Sequence, residues 1–258
     1  MDRFILMGTS HCTTKWNPMR TEFEKVFDKP FANRAVSALS MESYFPRVLA
    51  IMDEFPNEKL YFIMEYPTSG RYENYVYNRS KEYQQYSILK HTFWPKQNED
   101  GTYESVGNYQ DHIFYYNANK LFNSDKFTMI STKFKKMLLR WVVWYEKTII
   151  DELLSTDAMF INSFIKHQGH EVVWFNTNSR WPLKPEIIEY NERYGLEYIT
   201  RINLFEEIAH KKYRTDLRSL KLRPEIFPDG THLNKEDWRS TIHKYFIPYF
   251  KELDIPLK

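Results

Sequence analysis

Four apolar residues, Phe4-Ile5-Leu6-Met7, run without a polar break into Gly8-Thr9-Ser10-His11-Cys12. Such a run, ended by glycine and small side chains, predicts a buried strand that delivers Ser10 to the loop at the carboxyl end of a sheet. Residues 13–20 are polar, contain Pro18 and read as loop; residues 21–27 read as a short helix. A short second strand is expected within Pro30-Phe31-Ala32-Asn33-Arg34-Ala35-Val36-Ser37-Ala38, ending in a small-residue turn. Over residues 41–55, Tyr44, Phe45, Val48, Leu49 and Met52 fall at helical spacing, and Pro56-Asn57 stops the helix. Leu60 to Tyr66 is a second near-continuous apolar run, closed by Pro67, as expected of a strand buried on both faces of a parallel sheet. Strand, helix and strand in this rhythm predict βαβ units.

The regularity breaks at Pro67-Thr68-Ser69-Gly70-Arg71, and no clear period returns before about residue 117. Helix is expected over 133–154, where Phe134, Leu138, Trp141, Tyr145, Ile149 and Leu153 form a stripe, and again over 157–167. Glu171-Val172-Val173-Trp174-Phe175 reads as a compact strand, residues 185–194 as a helix with Pro185 in its first turn, and 198–202 as a last strand. Residues 204–208 read as a short helix. Lys211, Lys212, Arg214, Arg218, Lys221 and Arg223 follow, either a solvated basic face or an anion site. Asn234 and Asp237 have the spacing of a capping box, and Trp238, Ile242, Tyr245 and Phe246 share one face of the helix behind it until Pro248 ends or kinks it.

These elements predict an α/β chain of one domain over 1–258, with an inserted loop or helical subdomain at about 72–150. The length of 258 residues suffices for such a core. The insertion is also where the aromatic excess collects: nine of the 19 tyrosines lie between Tyr72 and Tyr116, with Phe93, Trp94 and Phe114. Those rings read either as a packed collar or as a subdomain or lid able to stack on sugar rings or bases. With 36 Lys and Arg against 34 Asp and Glu, charge gives no reason to expect nucleic acid or an anionic membrane as partner. Cys12 is the one cysteine, so no intrachain disulfide forms. No apolar stretch approaches ~20 residues, and the amino terminus lacks the pattern of a secretory signal. A soluble chain made in the cytoplasm is expected, which an assembled viral particle can still carry elsewhere.

A serine hydroxyl needs a base to take its proton, and the base works best when a carboxylate fixes its tautomer. Asp229 and His232, three residues apart around Gly230, are able to supply both from one loop. The plainer alternative makes Asp229-Gly230 a turn and His232 part of the cap of the next helix.

Gly8-Thr9-Ser10, Asn33-Arg34-Ala35-Val36-Ser37-Ala38 and Asp229-Gly230-Thr231-His232-Leu233-Asn234 together resemble the sequence blocks of the SGNH (GDSL-type) hydrolases, and the pairing of these short blocks with the Arg-containing loop after the third strand, Pro67-Thr68-Ser69-Gly70-Arg71, resembles divergent members found in phage genomes. The resemblance implies a flavodoxin-like three-layer α/β/α sandwich with a central parallel sheet. It further implies a serine esterase or carbohydrate O-deacetylase that works through an acyl-enzyme on an ester or acetylated glycan, without a cofactor or metal. Carried over by residue, Ser10 is the nucleophile, His232 the base and Asp229 its orienting acid. The oxyanion hole falls to Ser10, Ala38 and Ser69, and His11 and Arg71 are candidates to touch substrate.

Three positions depart from that pattern: Thr9 replaces an Asp, Ala38 a Gly, and Ser69 or Arg71 stands where an Asn side chain normally completes the oxyanion hole. Losing one such donor costs on the order of 100-fold in rate. A second expectation is therefore a hydrolase-like fold kept as a binding or structural module. A third, cysteine or metal chemistry from His11-Cys12, rests on a single pair of ligands.

Overall fold

The computed structural model describes residues 2–35, 41, 44–66, 150–177, 185–201 and 203–258. The expected insertion, the 133–149 part of the expected helix, and Ala38, Ser69 and Arg71 lie outside these residues. Four strands, β1 (Asp2–Met7), β2 (Phe31–Asn33), β3 (Lys59–Glu65) and β4 (Glu171–Phe175), form one parallel sheet in the order β2-β1-β3-β4. Phe4 pairs with Phe31 on one side and Tyr61 on the other, and Ile63 pairs with Val173. The two inner strands are the two unbroken apolar runs, and every residue from Phe4 to Met7 and from Leu60 to Glu65 is buried.

Because side chains alternate along a strand, each run feeds two cores. Phe4, Leu6, Tyr61, Ile63, Val173 and Phe175 face one side. There they meet Phe23 of α1 (Met19–Val26), Phe205 of α5 (Leu204–Lys211), Leu220 of α6 (Leu217–Lys221), Trp238 of α7 (Lys235–Thr241) and Phe250 of α8 (Ile247–Lys251). Ile5, Met7, Phe62, Met64, Val172 and Trp174 face the other side. They pack on Tyr44, Val48 and Ile51 of α2 (Tyr44–Glu54) and on Ala158, Ile161 and Ile165 of α3 (Ile150–His167). Each such buried side chain is worth about 1.5–3 kcal/mol. Aromatic rings form much of the first core: Phe4 alone touches Phe23, Phe27, Phe31, Tyr61 and Phe250 at centroid separations of 4.9–6.3 Å.

Several elements differ from the sequence expectation. α1 begins at Met19, not at 21, because Asn17 Oδ1 accepts the Met19 N–H at 2.9 Å and Pro18 precedes the first turn instead of breaking it. The helix does not stop at residue 154. α3 runs through Ser155-Thr156, since the Ser155 hydroxyl is buried and donates to Asn191 Oδ1 on α4 (Pro185–Arg193), so it does not compete for the backbone. Among the described residues the expected last strand reduces to one parallel bridge between Tyr198 and Trp174. α5 extends to Lys211 behind Asn203, whose side chain caps the N–H groups of Phe205 and Glu206. Pro248 does not end the last helix. A π-helical turn, Ile242–Phe246, absorbs the missing donor upstream, and Ile247 N–H reaches back to Ile242 O.

All four strands point the same way, so their carboxyl ends share one edge. The chain leaves β1 for β2 on one side and returns to β3 on the other, and the carboxyl ends of β1 and β3, where that direction reverses, are the place where open α/β sheets generally bind ligands. A shallow cavity of about 260 Å³ lined by Glu24, Asp28, Lys29, Pro30 and Lys258 lies at the opposite edge, where Pro30 leads into β2.

Candidate active site

Gly8 and Thr9 carry β1 over the edge of the sheet into a 3-10 turn, Ser10–Cys12. Gly8 is required by contact: a Cβ there would lie 2.5 Å from Cys12 Sγ and 2.8 Å from Glu65 Oε2. The turn is held from three sides. Cys12 N–H donates to Thr9 O at 3.0 Å, the Thr13 hydroxyl to Ser10 O at 3.0 Å, and Asn33 Nδ2, at the end of β2, to Cys12 O at 2.8 Å. Asn33 Oδ1 also accepts the Ala35 N–H at 2.9 Å, which fixes the start of the small-residue block after β2. Ser10 itself is half-exposed.

The second loop is closed by Asn234. Its N–H donates to Ile226 O at 2.8 Å, and its side chain bonds Glu225 O at 2.7 Å and the Asp237 backbone and carboxylate, each at 2.8 Å. The expected Asx cap is therefore formed, but the reciprocal half of a capping box is not, because the Asp237 carboxylate takes the Asn234 side-chain amide while the Asn234 N–H goes to Ile226 O. Asp237 is further held by Lys212 and Tyr213, and Lys211 pairs with Glu207, so part of the basic segment is committed to neighbours within the fold. Inside the loop Gly230 turns at φ +72°, a conformation that favours glycine. Asp229 Oδ1 accepts the N–H groups of Thr231 at 2.9 Å and His232 at 2.7 Å, and Oδ2 meets His232 Nδ1 at 2.6 Å. A carboxylate only accepts, so Nδ1 donates in this contact, and in the neutral imidazole Nε2 is then the nitrogen with the free lone pair. Burial pushes the Asp229 carboxyl up, but the His232 N–H, the imidazole and the Thr231 N–H outweigh it and bring it down to about 2.

The two loops, from opposite ends of the chain, meet. The His232 ring lies 5.1 Å from that of His11 and stacks on Trp16 at 4.6 Å with 4° between planes. His11 in turn meets Phe205 edge-on at 5.2 Å. The His232 side chain is only 15% exposed, and its Nε2 is buried without a hydrogen-bond partner among the described residues. Ser10, His11, Asp229 and His232 thus belong to one neighbourhood.

Cys12, read as a possible nucleophile or ligand, is fully buried. Burial, with the Glu65 carboxylate adding to it, holds its thiol well above the usual value. It packs beneath the Ser10 turn as a thiol. Among the described residues no group of three His, Cys, Asp or Glu side chains is placed to hold a metal ion, and no helix is long and apolar enough to cross a membrane.

Two residues of the neighbourhood escape the sequence reading. Trp16 lies in a stretch assigned to polar loop, and its aromatic character was the available signal. Glu65 is buried inside the run read as an apolar strand. No protein-family model and no curated protein matches this sequence.

Proposed function

We propose that the chain is a serine ester hydrolase, an esterase or carbohydrate O-deacetylase of the SGNH type, on a flavodoxin-like three-layer α/β/α frame. The strand order β2-β1-β3-β4, with helices on both faces, is that of the first four strands of flavodoxin-like sheets, and the Tyr198 bridge outside β4 falls where a fifth would pair. The observation that carries the functional reading is the Asp229–His232 pair at 2.6 Å, with Nε2 buried and unbonded among the described residues beside the turn that bears Ser10.

In this reading His232 Nε2 takes the Ser10 hydroxyl proton as Oγ attacks the ester carbonyl. The imidazolium is steadied by Asp229, which stays ionised down to about pH 2. The carbonyl π electrons move onto oxygen, where the Ser10 N–H and, by resemblance, the Ala38 N–H and Ser69 stabilise the oxyanion. Collapse expels the alkoxide, His232 returns the proton to it, and an acyl-Ser10 ester remains. Water, deprotonated by the same nitrogen, then releases acetate or another acid. His11 and Arg71 are the candidates to hold the alcohol portion, an acetylated glycan being the substrate class that the resemblance implies.

The test is hydrolysis of an aryl acetate and acetate release from acetylated glycans by wild type, Ser10→Ala and His232→Ala. Turnover that falls at least ~1,000-fold in both variants supports the reading. Turnover that survives both, or a folded wild type without any, overturns it.

A second reading, an impaired SGNH-fold binding or structural module such as a phage particle would carry, is favoured by one observation. His232 Nε2 makes no hydrogen bond among the described residues, so no bond from the Ser10 hydroxyl to the base is formed. Such bonds commonly tighten only with substrate bound, which keeps the hydrolase reading first.

A further inference from the structure

We propose that Glu65 is a positioning residue for the Ser10 loop, a buried carboxylate that clamps the backbone of Thr9 at the sheet edge and so sets where Ser10 stands. This inference rests on the hydrolase reading above for its consequence in rate, but not for the clamp itself. Glu65 ends β3, is 1% exposed, and lies in the run Leu60 to Glu65 whose other members are apolar. A carboxylate in such a place is strongly unfavourable unless its oxygens are satisfied.

They are satisfied by the loops that follow β1 and β4 at the carboxyl edge of the sheet. Oε2 accepts the Thr9 N–H at 2.5 Å and the Cys12 thiol at 3.4 Å, and Oε1 accepts the Thr177 hydroxyl from the loop after β4. Its backbone is pinned as well, since the Tyr44 hydroxyl donates to Glu65 O at 2.6 Å. The space for the carboxylate is made by Gly8, where a Cβ would approach Oε2 to 2.8 Å. Glu65 thereby ties the ends of β1, β3 and β4 together beside the point where the order of the strand connections reverses. Thr9 immediately precedes Ser10, so the bond to its N–H orients both the Ser10 hydroxyl and the Ser10 N–H assigned to the oxyanion.

The clamp predicts different behaviour for two substitutions of similar size. Glu65→Met keeps the volume but removes both acceptors. Glu65→Gln keeps an oxygen for the Thr9 N–H, and the Thr177 hydroxyl can turn to accept from the amide.

Two readouts on the full chain, well below the melting temperature of each variant, separate the cases: amide hydrogen exchange at Thr9, and the second-order rate of Ser10 labelling by a fluorophosphonate. Expected are faster Thr9 exchange and about 100-fold slower labelling in Glu65→Met, the scale of a 1 Å misplacement. Glu65→Gln should restore both to within roughly threefold of wild type, because the acceptor is kept. A residue that only stabilises the fold would lower the melting temperature of Glu65→Met and leave both readouts of the folded protein alone, and that result overturns the proposal.

If wild type is not labelled, the hydrolase reading fails and Thr9 exchange alone judges the clamp: faster in Glu65→Met upholds it, unchanged overturns it. Should Glu65→Met not fold, Thr177→Val removes the partner of Oε1. Faster Thr9 exchange there upholds the clamp, and unchanged exchange overturns it.

Discussion

Asp229→Asn changes one atom of the proposed triad and leaves its surroundings in place. The Asn Oδ1 can still accept from Thr231 N–H and His232 N–H, at 2.9 and 2.7 Å in the wild type, so the loop keeps its turn. The amide nitrogen then replaces Oδ2, which lies 2.6 Å from His232 Nδ1. An amide donates, so Nδ1 must become the bare nitrogen and the proton moves to Nε2, which can no longer accept one from Ser10. A wrong tautomer of this kind costs about 10⁴ in rate in the serine protease template, equivalent to about 5 kcal/mol on the barrier.

Stability changes far less, because the lost charge-assisted bond belongs to a carboxylate that is 40% exposed, and about 1 kcal/mol is expected at neutral pH. That difference has a defined pH dependence. The fold lowers the Asp229 carboxyl from 3.8 to about 2, so the charged form is the one stabilised. The wild-type advantage is fully present above 3.8 and disappears as pH falls through about 2. The assays are the fluorophosphonate labelling rate at neutral pH and denaturant unfolding across the acid range. Labelling of the Asn variant within about tenfold of wild type would refute the tautomer argument.

Gly8→Ala forces a methyl against Cys12 and Glu65, and should cost about 1–3 kcal/mol in denaturant unfolding together with slower Ser10 labelling; an unchanged midpoint would show that the turn has room. Phe4→Ala empties the centre of the aromatic core and should cost about 3–5 kcal/mol by the same measurement. Trp16→Ala removes the ring stacked on His232, with about 1 kcal/mol lost in stability and a several-fold slower labelling rate. Equal labelling would mean that the ring only covers His232.

The frame was legible where burial is symmetric. Phe4 to Met7 and Leu60 to Tyr66 announce inner strands because both faces of the sheet demand apolar side chains, and the spacing of Tyr44 and Val48 announces a helix with one buried face. Asp229, His232 and Asn234 were legible as a loop and cap because their roles are local in sequence.

What remained hidden depends on contacts from distant parts of the chain. The break expected between residues 154 and 157 disappears only once Asn191 is seen to take the Ser155 hydroxyl. Pro248 reads as an end or a kink, and which of the two is decided only by the wider turn over Ile242–Phe246 that accommodates it. Glu65 is absorbed in a run that reads as an apolar strand, and its three donors come from residues 53 to 112 positions away. Trp16, in a polar stretch, gains meaning only from the ring of His232. No local period encodes such meetings.

Whether Ser10 and His232 act as one unit is decided by exposing the protein to a fluorophosphonate and locating the adduct by peptide mass spectrometry. One adduct per chain, on Ser10, absent from Ser10→Ala and strongly reduced in folded His232→Ala, is the expected result. A folded wild type that carries no adduct, or carries it on another residue, would contradict it.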